Sequence, residues 1–223
     1  MLRVDNPVRE SRAFGDIKAR LRGMAPAPTT EEATRRGGNG RRTSPGRYPS
    51  DSQIGAVQPP SSRYRTYDEG SQFSVSVPSN WRELPENSSV KFSPEGGYGN
   101  YRGQSVFTHG VEICIDRHES HNLRRATEEL IDGLTQSNPR LRQSADYSTM
   151  TVDGYRGLRT TLSNVSDATG QPERIALYTA QLSDGSLFYL IGVAPAGAFN
   201  AYQPVFNRIV GSLQFSGYRN SRY

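Results

Sequence analysis

Apolar and polar residues alternate over several short stretches in the second half of the chain. Phe73, Val75 and Val77 alternate with serines, which predicts a strand with one apolar face. Further strands are predicted at residues 89–93, 111–116, 146–152, 155–163, 173–182 and 186–194. The dipeptides Asp153-Gly154 and Asp184-Gly185 separate consecutive strands, and such dipeptides favour tight hairpins. The sequence therefore predicts an antiparallel sheet.

Two segments instead carry the helical period. The first has an N-cap at Asn122, ends before Asn138-Pro139, and has apolar positions at Leu123, Ala126, Leu130, Ile131 and Leu134. The second runs from about Asn200 to Gly211, with an inward set of Tyr202, Phe206, Ile209 and Val210. These spacings predict two amphipathic helices.

The run from Tyr189 to Ala194 is apolar at successive positions, so this strand is expected to be covered on both faces. One helix on each side of the sheet would provide that cover. The predicted fold class is therefore α+β, with a central antiparallel β-sheet and helices on both faces, an α/β/α sandwich.

The N-terminal part has a different composition. Phe14, Ile17 and Leu21 predict a short amphipathic helix within residues 1–24, and a helix of that length needs a partner surface. Residues 25–67 are rich in Arg, Gly, Pro and Ser and predict a disordered linker. The folded domain is expected at residues 68–215, followed by a flexible C-terminus at 216–223.

Charge separates the same two parts. The whole chain has 34% hydrophobic residues, a mean hydropathy of −0.70 and a net charge of +5. Residues 1–67 contain 13 Lys+Arg and 6 Asp+Glu, a net +7, whereas residues 68–223 contain 14 and 16, a net −2. A basic tail can attract nucleic acid or an anionic membrane. Within the linker, no aromatic residue for base stacking is interleaved with the arginines before Tyr48, so nucleic-acid binding is not favoured.

Targeting signals are not apparent. No apolar run approaches the roughly 18 to 20 residues of a membrane span, and no apolar core of a signal peptide follows Met1. The single cysteine, Cys114, lies in an alternating apolar run and is expected to be buried. The sequence predicts a soluble chain without an export signal, and the compartment stays open.

The sequence carries no strong catalytic or metal-binding motif. A zinc peptidase needs HExxH on a helix, because that spacing places both imidazoles on one face, and the chain lacks this motif. The weak metal candidates are His118 and His121, in the loop before Asn122, and His109. A solvated loop is the favoured interpretation of these histidines. We therefore expect no enzyme activity and no cofactor.

The segment from Glu95 to Gly103 is glycine-rich but lacks the Gly-Lys-Ser/Thr ending of a phosphate loop. Two interpretations stay open, a mobile connection and a recognition loop between strands. The candidate recognition surface contains Tyr98, Tyr101, Arg102 and Trp81. Trp81, the only tryptophan, is interpreted first as a packed anchor after the first strand and alternatively as the wall of a ligand pocket.

Several of these patterns together resemble a known fold. The strand-Pro-x-x-Trp opening at residues 73–81, the midchain helix, the hairpins and the closing helix followed by Ser212-Leu213-Gln214-Phe215 resemble the PsbP-like fold, which Mog-type Ran-binding proteins share. Residues 126–139, 152–166 and 194–215 also resemble a domain at the C-terminus of some bacterial zinc metallopeptidases of the HtpX-like, CAAX-protease type.

The resemblance implies a non-catalytic accessory or protein-interaction module, tethered by a basic linker, that contacts a partner or substrate protein. Residues 1–24 would then be the remnant end of an upstream domain, and the resemblance implies an association with the cell envelope. One alternative is that the chain is the C-terminal portion of an active zinc metallopeptidase whose HExxH part lies outside it. The second alternative is a basic-tailed binder of nucleic acid or anionic membrane.

Overall fold

A computed structural model describes residues 57–85, 89–101, 104–117, 120–166 and 169–218. The predicted helix within residues 1–24, most of the predicted linker, and residues 219–223 lie outside the described residues.

Strands dominate the described part of the chain. They are β1 Tyr64–Asp68, β2 Phe73–Pro78, β3 Trp81–Pro85, β4 Val90–Pro94, β5 Tyr98–Tyr101, β6 Gln104–Phe107, β7 Gly110–Asp116, β8 Arg142–Gln143, β9 Ser148–Val152, β10 Tyr155–Val165, β11 Pro172–Gln181, β12 Leu187–Pro195 and β13 Gln214–Phe215. Helix α1 spans Leu123–Ser137 and helix α2 spans Phe199–Gly211. No helix in these ranges is both long enough and apolar enough to cross a lipid bilayer.

An eight-stranded antiparallel sheet forms the centre of the molecule. Its strand order is β3-β4-β7-β12-β11-β10-β8, and β9 also pairs with β10. The β9–β10 hairpin turns at Asp153 and Gly154, whose φ angles of 46° and 84° suit this dipeptide. The predicted antiparallel hairpins are confirmed.

The central strand β12 shows how the two faces are covered. Leu187, Tyr189, Ile191 and Val193 point into a core with α1, and the alternate residues Phe188, Leu190 and Ala194 point into a core with α2. Asn122 caps α1 by accepting a hydrogen bond from the backbone N–H of Arg125. The predicted α+β fold class, with helices on both faces of the sheet, is therefore confirmed.

Helix α2 lies very close to β12 at one point. A Cβ atom on Gly192 would lie 2.7 Å from Cγ of Phe206, which is closer than real Cβ contacts. Glycine is needed here because the ring of Phe206 occupies the space of a side chain. This contact fixes the position of α2 over the centre of the sheet.

A second, three-stranded sheet has the order β1-β2-β13. The apolar residues Phe73, Val75 and Val77 of β2 enter the same core as α2, while the serines between them are only partly buried. The alternation predicted for this strand is thus observed. Its placement differs from the expected single sheet, because β2 pairs with β1 and β13 instead of joining the central sheet.

The boundary predicted at residue 68 is too late, because β1 begins at Tyr64 and pairs with β2 along its length. Specific side-chain contacts accompany this pairing. The guanidinium of Arg208 lies 3.8 Å from the centroid of the Tyr64 ring, and Nη2 of Arg65 donates to the backbone oxygen of Trp81 at 3.1 Å. A linker prediction from average composition cannot register such contacts.

Candidate recognition site

A buried pair of opposite charges lies on the α1 face of the central sheet. Lys91 on β4 is the register partner of Glu112 on β7, and each residue is only 2% exposed. Nζ of Lys91 lies 3.9 Å from Oε2 of Glu112, and Oγ of Ser89 donates to Oε1 of Glu112 at 2.8 Å. Burying such a pair has a large desolvation cost that its attraction often fails to offset. The pair is therefore a candidate for a role other than stability.

The hairpin of β5 and β6 contributes an aromatic ring to this charged pair. Nζ of Lys91 lies 5.9 Å from the centroid of the Phe107 ring, within the range of a cation–π interaction. Phe107 is the register partner of Tyr98. Side chains of directly opposed residues lie on the same face of an antiparallel pair. The register therefore places Tyr98 next to the ring that contacts the buried pair.

The base of the hairpin is fixed by hydrogen bonds to one residue. The backbone oxygen of Gly97 accepts from the N–H groups of Thr108 at 2.8 Å and His109 at 3.3 Å. A Cβ atom on Gly97 would lie 2.7 Å from Oγ of Ser93, so a side chain would not fit without a shift. The glycine-rich segment therefore contains a strand pair with a hydrogen-bonded base.

A cavity of about 30 Å³ lies between the end of α1, the hairpin and the sheet. Lys91 and Glu112 line it together with Phe107 from the hairpin and Asn138 after α1. Asn164 and Glu173, from the adjacent ends of β10 and β11, complete its polar wall. The cavity thus brings together polar groups from four strands, and all of them except the half-buried Glu173 are buried.

A cluster of rings lies beside the hairpin base on the opposite face of the sheet. The ring centroids of His109 and Tyr202 are 5.2 Å apart, and those of Tyr202 and Trp81 are 6.4 Å apart. Oγ1 of Thr108 lies 2.9 Å from Nδ1 of His109. Burial lowers the pKa of His109 to about 4, so the imidazole is neutral at pH 7.

The predicted recognition residues do not all share a surface. Tyr98 is 39% exposed, whereas Trp81 is 2% exposed and belongs to the core with α2. Trp81 also begins strand β3 instead of lying in a turn, so it is removed from the candidate surface and its interpretation as a packed anchor is supported. Tyr101 is the last residue of β5, and Arg102 lies outside the described residues.

The three histidines have separate positions. His109 precedes β7 and packs against Tyr202, while the exposed His121 follows β7 and lies near the turn at Gly185. His118 is outside the described residues. Across the described ranges, no three His, Cys, Asp or Glu side chains group together in a way that could hold a metal ion.

Four polar residues of the cavity wall were not predicted from the sequence: Lys91, Glu112, Asn164 and Glu173. The signal was present at the first two, because each charge interrupts an apolar run: Val90-Lys91-Phe92 and Val111-Glu112-Ile113. A charged side chain at such a position in a strand is ordinarily expected to face solvent. It is buried here because α1 and the hairpin also cover this face of the sheet.

No family model matches the chain, and no curated protein matches it. Solved structures of similar fold include the Ran-binding protein Mog1p of Saccharomyces cerevisiae, with a TM-score of 0.52 and 11% identity over 70% of this chain and 96% of that chain. They also include the cyanobacterial PsbP protein CyanoP of Synechocystis sp. PCC 6803, with a TM-score of 0.50 and 11% identity over 74% of this chain and 98% of that chain. The described part of the chain therefore has a PsbP/Mog1-like fold.

Proposed function

We propose that this chain is a non-catalytic protein-interaction module whose binding surface is the β5–β6 hairpin, centred on Tyr98. The observation that carries the proposal is the exposure of Tyr98. Among the described residues it is the one exposed large hydrophobic side chain, with 39% of its surface accessible. Tyrosine is enriched at the energetic centres of protein interfaces because it combines a large apolar ring with a polar hydroxyl.

The contacts that fix the β5–β6 hairpin to the rest of the domain support this proposal. Its base is hydrogen-bonded at Gly97, and Phe107, the register partner of Tyr98, lies over the ammonium of Lys91. A side chain presented on an ordered hairpin has less conformational entropy to lose on binding than one on a mobile loop. The hairpin can therefore present Tyr98 to a partner in a preorganised position.

The fold is compatible with this role. Mog1p, which has a similar fold, is a Ran-binding protein. At 11% identity the similarity extends to the fold alone, so the interaction of the present chain is argued from Tyr98 and the hairpin. We propose a protein as the partner because an exposed aromatic ring beside a fixed strand pair suits a protein surface.

A photo-crosslinking experiment tests the proposal. The full chain would carry p-benzoylphenylalanine in place of Tyr98 and, as a control, in place of Thr149, an exposed residue of the edge strand β9. Both proteins would be irradiated in a lysate of the cells that produce the chain. A specific adduct from position 98 alone is expected, and excess unlabelled wild-type chain should suppress it while excess Tyr98→Ala should not.

Two results would contradict the proposal. One is an identical set of adducts from positions 98 and 149, which would indicate contact by collision alone. The other is equal suppression by wild type and Tyr98→Ala, which would show that the tyrosine ring contributes nothing to binding.

A finer proposal concerns the class of partner. The sequence resemblance to the C-terminal domain of HtpX-like zinc metallopeptidases supports a peptidase, or a peptidase substrate, as the first partner to test. The resembling residues 126–139, 152–166 and 194–215 include most of α1, the turn of the β9–β10 hairpin and all of α2. Mass spectrometry of the position-98 adduct tests this proposal, because a partner unrelated to proteolysis would argue against it.

A further inference from the structure

An open groove lies beside helix α2, on the face of the central sheet that this helix covers. Helix α2 packs against β12 and β11, and β10 is the next strand of the sheet. The groove has a volume of about 220 Å³. Gln203 and Asn207 line it from α2, and Ala145 and Asp146 line it from the segment between β8 and β9. Two separate elements of the fold therefore enclose part of the sheet surface.

The floor of the groove consists of side chains from adjacent strands. Arg159 on β10 is the register partner of Ser148 on β9 and of Tyr178 on β11. Directly opposed residues lie on one face of a sheet, and Tyr178 belongs to the core with α2, so Arg159 also lies on the α2 face. The register pair Thr161 and Ala176 lines the groove next to them. Nε of Arg159 donates to Oγ of Ser148 at 2.9 Å, which fixes the guanidinium on this floor.

Arg159 and Asp146 are the two charged residues that line the groove. The two Nη groups of Arg159 make no hydrogen bond or ion pair to the described residues. The carboxylate of Asp146 likewise has no hydrogen bond or ion pair within that part of the chain. Both side chains are exposed, so a solute can reach them. Two opposite charges thus line one groove without pairing with each other, and each can contact a ligand.

The amide of Asn207 adds a hydrogen-bond donor near Arg159. Burial raises the pKa of Tyr178 to about 12, and the charge of Arg159 opposes this rise. Tyr178 therefore keeps its proton at pH 7, and its hydroxyl donates to Oδ1 of Asn207 at 2.7 Å. This bond leaves Nδ2 of Asn207 as a donor. The guanidinium and this amide lie beside the same phenol, and such a set of donors suits a carboxylate.

The charges and the size of the groove together favour a small zwitterion. A ligand with only a negative charge would be repelled by Asp146, and a ligand with only a positive charge would be repelled by Arg159. A neutral polar molecule would displace water from both charges without replacing its interactions. A volume of about 220 Å³ equals about seven water molecules and is smaller than a typical site for a drug-sized ligand.

We propose that this groove binds a free α-amino acid with a small polar side chain, its carboxylate on Arg159 and its ammonium on Asp146. The hydroxyl of Thr161 and the amide of Gln203 line the same groove and can hydrogen-bond the polar side chain. The site only binds the amino acid, and no covalent bond is formed or broken. It is separate from the surface at Tyr98 and needs no protein partner.

Titration of the ¹⁵N-labelled full chain with L-serine tests binding. Two controls each lack one charge of serine: L-glycerate has a hydroxyl in place of the ammonium, and serinol has a hydroxymethyl in place of the carboxylate. We expect saturable shifts of the Asn207 side-chain amide, the Nε–H of Arg159 and the backbone amide of Asp146 with L-serine. Both controls should bind at least tenfold more weakly.

The amino acids L-threonine and L-asparagine extend this titration to other small polar side chains. Failure of all three amino acids to produce saturable shifts would overturn the proposal. Equal binding of L-glycerate or of serinol would also overturn it, because the groove would then not recognise both charges. The titrations use no cell lysate, so they can succeed or fail independently of crosslinking at position 98.

A variant of the guanidinium provides the second test. Arg159→Gln should weaken L-serine binding about tenfold or more, because the charged donor to the carboxylate is removed. Arg156→Gln makes the same change at an exposed position on the opposite face of the same strand and should leave binding unchanged. Unchanged binding by a folded Arg159→Gln variant, or an equal loss with Arg156→Gln, would overturn the proposal.

A variant of the carboxylate tests the specificity for a zwitterion. Asp146→Asn keeps the size of the side chain and removes the charge that the ammonium contacts. It should bind L-serine about tenfold less tightly and L-glycerate more tightly than wild type, because the repulsion of a second carboxylate is removed. A merely structural role of Asp146 would weaken both ligands together. That result, or an unchanged preference for L-serine over L-glycerate, would overturn the proposal.

Discussion

The carboxylate of Asp153 accepts a hydrogen bond of 2.7 Å from the backbone N–H of Phe215. Asp153 is in the tight turn of the β9–β10 hairpin, and Phe215 is in β13, the last strand of the small sheet. One side chain thus joins a turn of the central sheet to the C-terminal strand of the other sheet.

We predict that Asp153→Ala lowers the free energy of unfolding by about 2 to 3 kcal/mol. The variant loses a hydrogen bond to a charged group, and alanine is strained at the φ of 46° found here. Asp153→Asn keeps an acceptor and tolerates positive φ, so its loss should stay below about 1 kcal/mol. Urea unfolding of the three proteins measures these differences. Equal losses for both variants would contradict this prediction, because they would show that the negative charge, which both variants remove, accounts for the effect.

Trp81 should contribute strongly to stability because its ring is buried near Tyr202. Trp81→Ala is expected to cost about 3 to 5 kcal/mol. Trp81→Phe should cost much less, since it also removes the indole N–H, which is buried and makes no hydrogen bond within the described residues. Denaturant unfolding followed by far-UV circular dichroism checks both values. A loss below about 1 kcal/mol for Trp81→Ala would contradict the packed position.

Stability should depend on His109 between about pH 6.5 and pH 4. Because burial lowers its folded pKa to about 4, the unfolded chain binds a proton in this range and the folded chain does not. The stability from the neutral imidazole is therefore complete above pH 6.5 and is lost as the pH falls through this range. The wild type should lose about 2 to 3 kcal/mol more than His109→Gln between pH 7 and pH 4. Parallel stability curves for the two proteins would contradict this expectation.

Removing one charge of the buried Lys91–Glu112 pair should lower the free energy of unfolding more than removing both charges. Lys91→Met leaves the carboxylate of Glu112 without the ammonium beside it, and we expect a loss of about 3 to 5 kcal/mol. Adding Glu112→Gln to Lys91→Met should recover most of this loss, because glutamine is neutral and still accepts from Ser89. Chemical unfolding of the single and double variants gives the coupling energy. Additive losses would show that the two charges do not interact.

Much of the fold was predictable because hydrophobic spacing and turn residues indicate helices and hairpins locally. The spacing of Leu123, Leu130 and Leu134 and the dipeptide at Asp153-Gly154 are local signals, and both led to the observed elements. The separate small sheet was not predictable, since the pairing of Phe73 with Phe215 joins residues that no local pattern connects.

The candidate site was predicted only in part. Tyr98 could be selected because a tyrosine among glycines is unusual, and its side chain is exposed. Lys91 and Glu112 look like solvent-facing residues of half-buried strands. Their burial depends on α1 and the hairpin covering the same face, which is a property of the tertiary structure. Asn164 and Glu173 enter the cavity for the same reason.

The small sheet also sets how attached segments leave the folded part of the chain. Strands β1 and β13 flank β2 and are both antiparallel to it, so they are parallel to each other. Tyr64, the first residue of β1, is paired with Pro78, whereas Phe215, the last residue of β13, is paired with Phe73 at the other end of β2. Because a strand rises about 3.3 Å per residue, these two ends lie more than about 15 Å apart. A segment attached before β1 and a segment attached after β13 therefore leave from opposite ends of the same strand, and two fusion partners placed there would be kept apart by the length of β2.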